Sequence, residues 1–170
     1  ELTTLLIDSI ARHSGIQRVE IPTSWGNHGR DTPERRVSTA WKRSYEWLLY
    51  KQLAKQYVHH PKVRVHVSQD EISRLDVLGK KLRFAHGDQF SFAGGVGGIT
   101  IPLRKWLARL DATEPADVTC CGHWHGFEDL RNAIINNCLI GWSPYGQRVA
   151  PYSPASQVCF LLDAKFGKRM

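Results

Sequence analysis

Long apolar runs, a disulfide-type cysteine pattern and an excess of acidic charge are all missing from this chain of 170 residues. No run approaches the ~20 apolar residues that a membrane-spanning helix needs, which excludes that kind of membrane protein. Four cysteines occur, two of them adjacent at Cys120 and Cys121, and this pattern excludes a disulfide-rich secreted scaffold. No signal-peptide pattern is visible. We therefore expect a cytoplasmic protein with no membrane partner.

Acidic residues are outnumbered, with 16 Asp and Glu against 23 Lys and Arg, which gives a net charge of +7. Such a charge favours an anionic partner such as nucleic acid, although a solvated basic surface accounts for the charge alone equally well. The hydrophobic content of 42% and the six tryptophans are enough for a real core. We expect one domain over residues 1–170.

The first third of the chain alternates helical and strand-like patterns. Apolar spacing predicts a helix over residues 1–13, with Leu2, Leu5, Leu6 and Ile10 on its apolar face, and then a strand over residues 17–23. Asp31-Thr32-Pro33-Glu34 is typical of a helix start, which predicts a helix from there to about Val58. We expect this helix to pack on the sheet through one apolar stripe: Trp41, Tyr45, Leu48, Leu49, Leu53 and Tyr57.

The rest of the chain is richer in strands. Its patterns predict a strand at 63–67, a hairpin of 75–78 with 81–85 turning at Gly79-Lys80, and a strand at 116–120. They also predict a glycine-rich lid loop at 91–98, a helix at 102–110, strands at 138–140 and 158–162, and a loop at 141–154.

Three histidine-bearing loops each follow a strand-like run. They are Trp25-Gly26-Asn27-His28-Gly29, Phe84-Ala85-His86-Gly87-Asp88 and Cys121-Gly122-His123-Trp124-His125-Gly126. Open α/β sheets place their sites at the carboxyl ends of strands. Neutral imidazole binds divalent first-row metals well, and amide oxygen suits the harder ones. The sequence therefore predicts one convergent metal centre.

These loops resemble three of the five ordered motifs of the calcineurin-like metallophosphoesterase superfamily. Gly26-Asn27-His28, His86-Gly87 and Gly122-His123-Trp124-His125 match its Gly-Asn-His, Gly-flanked His and Gly-His-x-His motifs in the family's order. The matching segment covers nearly the whole chain. The resemblance implies an α/β fold, the αββα sandwich of the metallophosphoesterases.

The resemblance also implies roles for the site residues. Asn27, His86 and His123 would bind one divalent cation and His125 the other, with Mn²⁺ expected and Zn²⁺, Fe or Mg²⁺ as alternatives. His28 would contact the scissile phosphate and protonate the leaving oxygen. Two cations about 3.5–4 Å apart can bridge a hydroxide and clamp the phosphoryl oxygens for in-line attack.

The chain departs from the family pattern in two ways. Gly29 stands where the family has Asp or Glu, and the Arg30 that follows is expected to contact the substrate phosphate. The family's first two motifs, Asp-x-His and Gly-Asp-x-x-Asp, are absent from the 26 residues before Asn27. We expect an N-terminally truncated domain that lacks its N-terminal strands, has little activity alone, and associates with itself or with a missing N-terminal half.

Other candidate residues have two interpretations each. Asp88 either orients a ligand imidazole or caps a turn. The cluster of Arg30, Arg35 and Arg36 suits a polyanionic substrate or is a solvated helix start. Cys120 and Cys121 are expected to pack in the strand. The remaining histidines match no motif and are expected on the surface: His13, His59, His60 and His66.

The leading function is therefore hydrolysis of phosphate esters by a metal-dependent enzyme. The basic charge favours a phosphodiesterase or nuclease acting on nucleic acid. A phosphomonoesterase or a pyrophosphate hydrolase would share these motifs. The alternative of another class is a catalytically silent fragment or basic binding module, which the two absent motifs favour.

Overall fold

The computed structural model describes residues 2–34, 37–141, 143–144, 146–149 and 152–169. The predicted contribution of Arg35 and Arg36 lies outside the described residues. The chain forms two compact units, Glu1–Ser73 and Arg74–Met170, and each is described by itself. The class is mixed α/β, as expected, with a five-stranded mixed sheet. That residues 1–170 form a single domain stays a prediction.

The first unit is built on two parallel strands joined through a helix. Its elements are α1 (Leu2–Arg12), β1 (Val19–Thr23), a 3-10 helix (Val37–Arg43), α2 (Tyr45–Gln56) and β2 (Val63–Val67). β1 lies parallel to β2, with Val19 opposite Val63 and Thr23 opposite Val67. Parallel strands need a crossover connection, and the segment with α2 supplies it.

The core of this unit uses a different face of α1 from the predicted one. Ile7 and Ala11 are buried and pack in one cluster with Leu53, Tyr57 and Val63. The predicted face is wrong, because its four members are exposed: Leu2, Leu5, Leu6 and Ile10. Apolar residues occupy more than one side of this helix, so its spacing alone does not decide which side the neighbouring strands cover.

The predicted long helix from Asp31 to Val58 is also wrong. Residues 31–34 form bends, the 3-10 helix follows, and α2 starts anew at Tyr45. Ser44 interrupts the helical path, because its backbone is extended (φ −119°, ψ 118°). Its hydroxyl accepts a hydrogen bond from the Trp47 N–H at 3.2 Å, which satisfies one of the helix's unpaired donors.

Only the C-terminal end of the predicted α2 stripe is buried. Leu53 is 9% exposed and Tyr57 is 5% exposed, whereas Tyr45, Leu48 and Leu49 are 69%, 51% and 56% exposed. The expectation that the whole stripe packs on the sheet is therefore wrong for its first half. The hydroxyl of Tyr57 donates to Asp8 Oδ1 at 2.6 Å and fixes α1 against the end of α2.

The second unit holds the five-stranded sheet, in the order β3-β4-β5-β7-β6. β4, β5 and β7 run parallel, and β6 is antiparallel to β7. β8 and β9 form a separate antiparallel pair. The elements are β3 (Ile72–Val77), β4 (Lys80–Ala85), α3 (Thr100–Asp111), β5 (Val118–Cys121), β6 (Glu128–Leu130), β7 (Ala133–Ile135), α4 (Gly146–Val149), β8 (Leu161–Asp163) and β9 (Gly167–Arg169).

Several predicted elements of this unit are confirmed. The β3–β4 hairpin forms, although it turns at Leu78 and Gly79, one residue earlier than predicted. Their φ values of 55° and 73° are those of a type I′ turn. α3 forms with Leu103, Trp106 and Leu107 buried. The glycine-rich segment 91–98 has no helix or strand, and its role as a lid stays a prediction.

Two predicted strands of this unit are misplaced. The described residues at 138–140 form no strand. The strand that joins the sheet in this part of the chain is β7, whose three residues are all buried. Leu139 and Ile140 are exposed instead. The strand predicted at 158–162 begins only at Leu161. Several short apolar runs occur in this part of the chain, and their pattern alone does not show which of them pairs with the sheet.

A buried arginine joins the sheet to α3. Arg83 in β4 is 2% exposed and donates to Asp111 Oδ1 at 2.8 Å, to Thr119 Oγ1 at 3.2 Å and to the Glu114 carbonyl oxygen. A buried charge is tolerated only when it is paired and hydrogen-bonded in this way. Among the described residues, no helix is long and apolar enough to cross a bilayer.

The two leucines on α2 provide a test of the corrected burial. Leu53→Ala should lower the free energy of unfolding by about 2–5 kcal/mol, because it leaves a cavity in the first unit's core. Leu49→Ala, one turn earlier on the same helix, is the matched control and should change it by less than ~0.5 kcal/mol. Urea unfolding followed by tryptophan fluorescence measures both. Equal losses would show that the face of Leu49 is buried after all.

Candidate metal centre

The parallel pairing of β4 and β5 sets the position of two of the three loops. Ala85 at the end of β4 lies opposite Cys121 at the end of β5. The chain therefore leaves both strands at the same edge of the sheet. His86 follows Ala85 directly, and His123 comes two residues after Cys121. The structure thus places the second and third histidine loops side by side in the second unit.

His86 and His123 meet at this edge. His86 Nε2 lies 3.2 Å from His123 Nδ1, and the two half-buried rings are 5.0 Å apart at an interplanar angle of 68°. Two nitrogens that bind one cation at ~2.1 Å, at ~90–109° to each other, are themselves about 3.0–3.4 Å apart. The pair therefore has a spacing that suits one metal ion, and in its absence the same spacing suits an N–H···N hydrogen bond.

Backbone contacts fix the two loops against each other. The Gly122 N–H donates to the His86 carbonyl oxygen at 2.8 Å, and Trp124 Nε1 donates to the Gly87 carbonyl oxygen at 3.1 Å. Gly87 has a φ of 112°, and a Cβ there would lie 2.7 Å from the Gly122 carbonyl oxygen. Only glycine fits this position, because both the backbone angle and the space exclude a side chain.

The Gly-His-Trp-His loop stores backbone strain. His123 and His125 have φ values of 71° and 54°, in the left-handed region that non-glycine residues rarely adopt. Each costs on the order of 1–3 kcal/mol and persists only where the surroundings enforce it. The ring of Trp124 between them stacks on Phe90, with centroids 5.3 Å apart. The left-handed turns also free the two histidines from the strict alternation of a strand.

The structure joins only part of the predicted ligand set. Among the described residues, no group of three or more His, Cys, Asp or Glu side chains is placed to hold a metal ion. His125 is half-buried in the same loop, and its role as a ligand stays a prediction. Asp88 is half-buried too, and its two predicted roles stay predictions. Gln89 helps to hold the loop, because its Oε1 accepts from the Gly87 N–H at 2.8 Å.

Asn27 and His28 lie in the first unit, in the loop after β1. Asn27 is half-buried and His28 is exposed. Glu46, on the first turn of α2, accepts a hydrogen bond from the Gly26 N–H through its Oε2 at 2.5 Å. The Tyr45 N–H donates to the Gly29 carbonyl oxygen at 2.7 Å. The start of α2 therefore holds this loop at both ends.

Glu46 gives a physical reason for the glycine at position 29. A Cβ on Gly29 would lie 2.5 Å from Cγ of Glu46, so the carboxylate of Glu46 fills the space of a side chain there. The sequence pattern does not reveal this role of Glu46, because it predicts the residue to lie in the middle of a long helix. Arg30 forms an antiparallel backbone bridge with Ser44, and its predicted phosphate contact stays a prediction.

The adjacent cysteines are strand residues with protonated thiols. Burial raises the pKa of Cys120 to about 11 and that of Cys121 to about 12. Cys121 is 4% exposed. Because the thiolate is the form that binds metal, these values favour the packing role that was expected. All four cysteines of the chain are free.

Comparison with models of protein families, with curated proteins and with solved structures gives no match. The resemblance to the metallophosphoesterases therefore rests on the three loop motifs and stays a hypothesis. The roles that the resemblance implies for Asn27, His28 and His125 are hypotheses as well.

The two facing glycines test the geometry of the centre. Gly87→Ala should lower the free energy of unfolding by about 1–3 kcal/mol, because its φ and the Gly122 carbonyl oxygen both oppose a side chain. Gly122→Ala is the control, since its Cβ would lie 3.7 Å from the nearest atom, the His86 carbonyl oxygen, at ordinary contact distance. Urea unfolding measures both variants. If Gly87→Ala is as stable as the control, the loop does not have this backbone path.

Proposed function

We propose that this protein is a metal-dependent phosphoesterase in which His86 and His123 hold a divalent cation. The observation that supports this most strongly is the 3.2 Å separation of two imidazole nitrogens at the carboxyl ends of adjacent parallel strands. Imidazole suits Zn²⁺ and Fe²⁺, whereas Mn²⁺ prefers oxygen ligands such as an amide. The left-handed backbone around His123 is the kind of strain that gathers at functional sites. When bound, the cation would supply Lewis-acid polarisation of a phosphoryl oxygen.

The finer parts of the proposal follow the resemblance. Asn27 and His125 are proposed as further ligands for two cations, and the sheets as parts of an αββα sandwich. His28 is proposed to donate the proton to the leaving oxygen. Its imidazole is exposed, and contacts of the loop with Glu46 and Tyr45 hold the backbone on both sides of it. A rigid loop with an exposed imidazole suits proton transfer to a bound ester.

Nucleic acid is the proposed substrate class. The net charge of +7 suits a polyanion, and a phosphodiester is the bond that such a polymer presents. A monoester or a pyrophosphate would need the same metal centre, so the substrates must be compared directly. The competing function is a basic binding module in which His86 and His123 share a hydrogen bond and hold no metal.

Metal content tests the proposed ligands. His86→Ala and His123→Ala should each lose most of the Mn²⁺ or Zn²⁺ that the parent chain retains after dialysis, measured by plasma emission spectroscopy. His59→Ala is the control, since this exposed histidine belongs to no motif and should leave the metal content unchanged. A parent chain that retains no metal, and cannot be loaded, would favour the binding module.

Turnover separates the ligands from the proton donor. His28→Ala should keep its metal but lower hydrolysis of bis(p-nitrophenyl) phosphate by about 10²–10⁴-fold, the usual contribution of a general acid. Hydrolysis by the parent chain should require added Mn²⁺, stop with EDTA and be weak, because the family's first two motifs are absent from the 26 residues before Asn27. Loss of metal in His28→Ala equal to that in His86→Ala would refute this division of roles.

A further inference from the structure

Aromatic rings and lysines interleave at the junction of the 3-10 helix and α2. The rings of Trp41 and Trp47 lie 4.7 Å apart, centroid to centroid, at 55°. Lys42 Nζ lies 5.1 Å from the Trp41 ring centroid, and Lys51 Nζ lies 5.6 Å from that of Trp47. Tyr45 stands between the two tryptophans in sequence. We call these five residues the aromatic–basic surface.

Tyr45 gives this surface an open ring. Its side chain is 69% exposed, so much of this large ring is accessible to a ligand. Two grooves adjoin it, with volumes of about 510 Å³ and 160 Å³, and both are lined by Lys42 and Arg43. Tyr45 and Trp47 line the smaller groove. The smaller groove therefore combines two aromatic side chains with Lys42 and Arg43, and it is also lined by Asp31, the ion-pair partner of Arg43.

The surface is held in place by contacts that do not occupy it. Trp47 Nε1 donates to the Ser68 carbonyl oxygen at 3.0 Å, so the edge of this indole is anchored. Arg43 forms an ion pair with Asp31 at 3.1 Å, which neutralises part of its charge. The cations that lie against rings, Lys42 and Lys51, are then the main positive charges for a ligand.

We propose that the aromatic–basic surface binds single-stranded nucleic acid. Unpaired bases stack on exposed aromatic rings whatever their sequence, and lysines beside the rings take the phosphates. A duplex keeps its bases stacked on each other and would gain only the charge contacts. An acidic peptide would likewise use the lysines and leave Tyr45 without a partner. The open ring therefore favours a single strand over either.

The surface adjoins the loop that carries His28. The Tyr45 N–H donates to the carbonyl oxygen of Gly29, the residue after His28, at 2.7 Å. A strand stacked on Tyr45 would thus have a neighbouring phosphate near this loop. In naming the substrate class, the inference rests on the proposed phosphodiesterase, but strand binding itself needs neither metal nor hydrolysis.

Binding of a fluorescein-labelled oligothymidine of twelve nucleotides tests the proposal without turnover. It is followed by fluorescence anisotropy in a buffer that contains EDTA. Tyr45→Ala should weaken binding about tenfold. Tyr152→Ala is the matched control, because this tyrosine of the second unit is 71% exposed and should bind as the parent does. Lys42→Ala should weaken binding and reduce the slope of log affinity against log salt by about one. Circular dichroism checks that each variant folds.

Three results would overturn the proposal. They are equal affinity of Tyr45→Ala and the parent chain, tighter binding of the matching duplex, and competition by polyglutamate as effective as that by unlabelled oligothymidine. Failure here is distinguishable from failure of the phosphoesterase proposal. Strand binding is measured in EDTA and needs neither metal nor turnover, whereas the phosphoesterase proposal is tested by metal content and by hydrolysis of bis(p-nitrophenyl) phosphate.

Discussion

The parallel register of β4 and β5 is the constraint on which the candidate centre depends. With Ala85 opposite Cys121, the two loops begin level with each other, and a shift of one residue would displace the start of one loop by about 3.3 Å along the strand. Arg83 and its three acceptors help to fix this register, since they join β4, β5 and the end of α3. The buried guanidinium of Arg83 thus contributes to the spacing of His86 and His123.

The sequence predicts the parts of the structure that local patterns determine. β2, the β3–β4 hairpin and α3 follow from alternation, turn chemistry and helical spacing. β2 has the predicted bounds, and the other two form within one to three residues of theirs. The meeting of His86 and His123 follows from strand-end placement alone. The other predicted ligands, Asn27 and His125, follow only from the resemblance to the metallophosphoesterase motifs, since no local pattern assigns either of them to a metal.

The failures share a physical cause, which is that burial depends on what covers a surface. α1 has apolar residues on more than one side, and only packing with Leu53, Tyr57 and Val63 selects Ile7 and Ala11. The sequence predicts the start of this helix at the wrong residue, because Asp31 and Pro33 are a stronger helix-start pattern than Ser44. Of these residues, only Ser44 caps a helix. β7 was missed because three apolar residues are too few for periodicity to identify a strand.

The close approach of Gly29 and Glu46 has an evolutionary consequence. The two positions share one volume, so a chain with an acidic residue at 29 has no room for the glutamate at 46 in its present conformation. Replacement of Glu46 alone removes the carboxylate that accepts from the Gly26 N–H. Replacement of Gly29 alone crowds the loop beside His28. Substitutions at the two positions are therefore expected to be coupled.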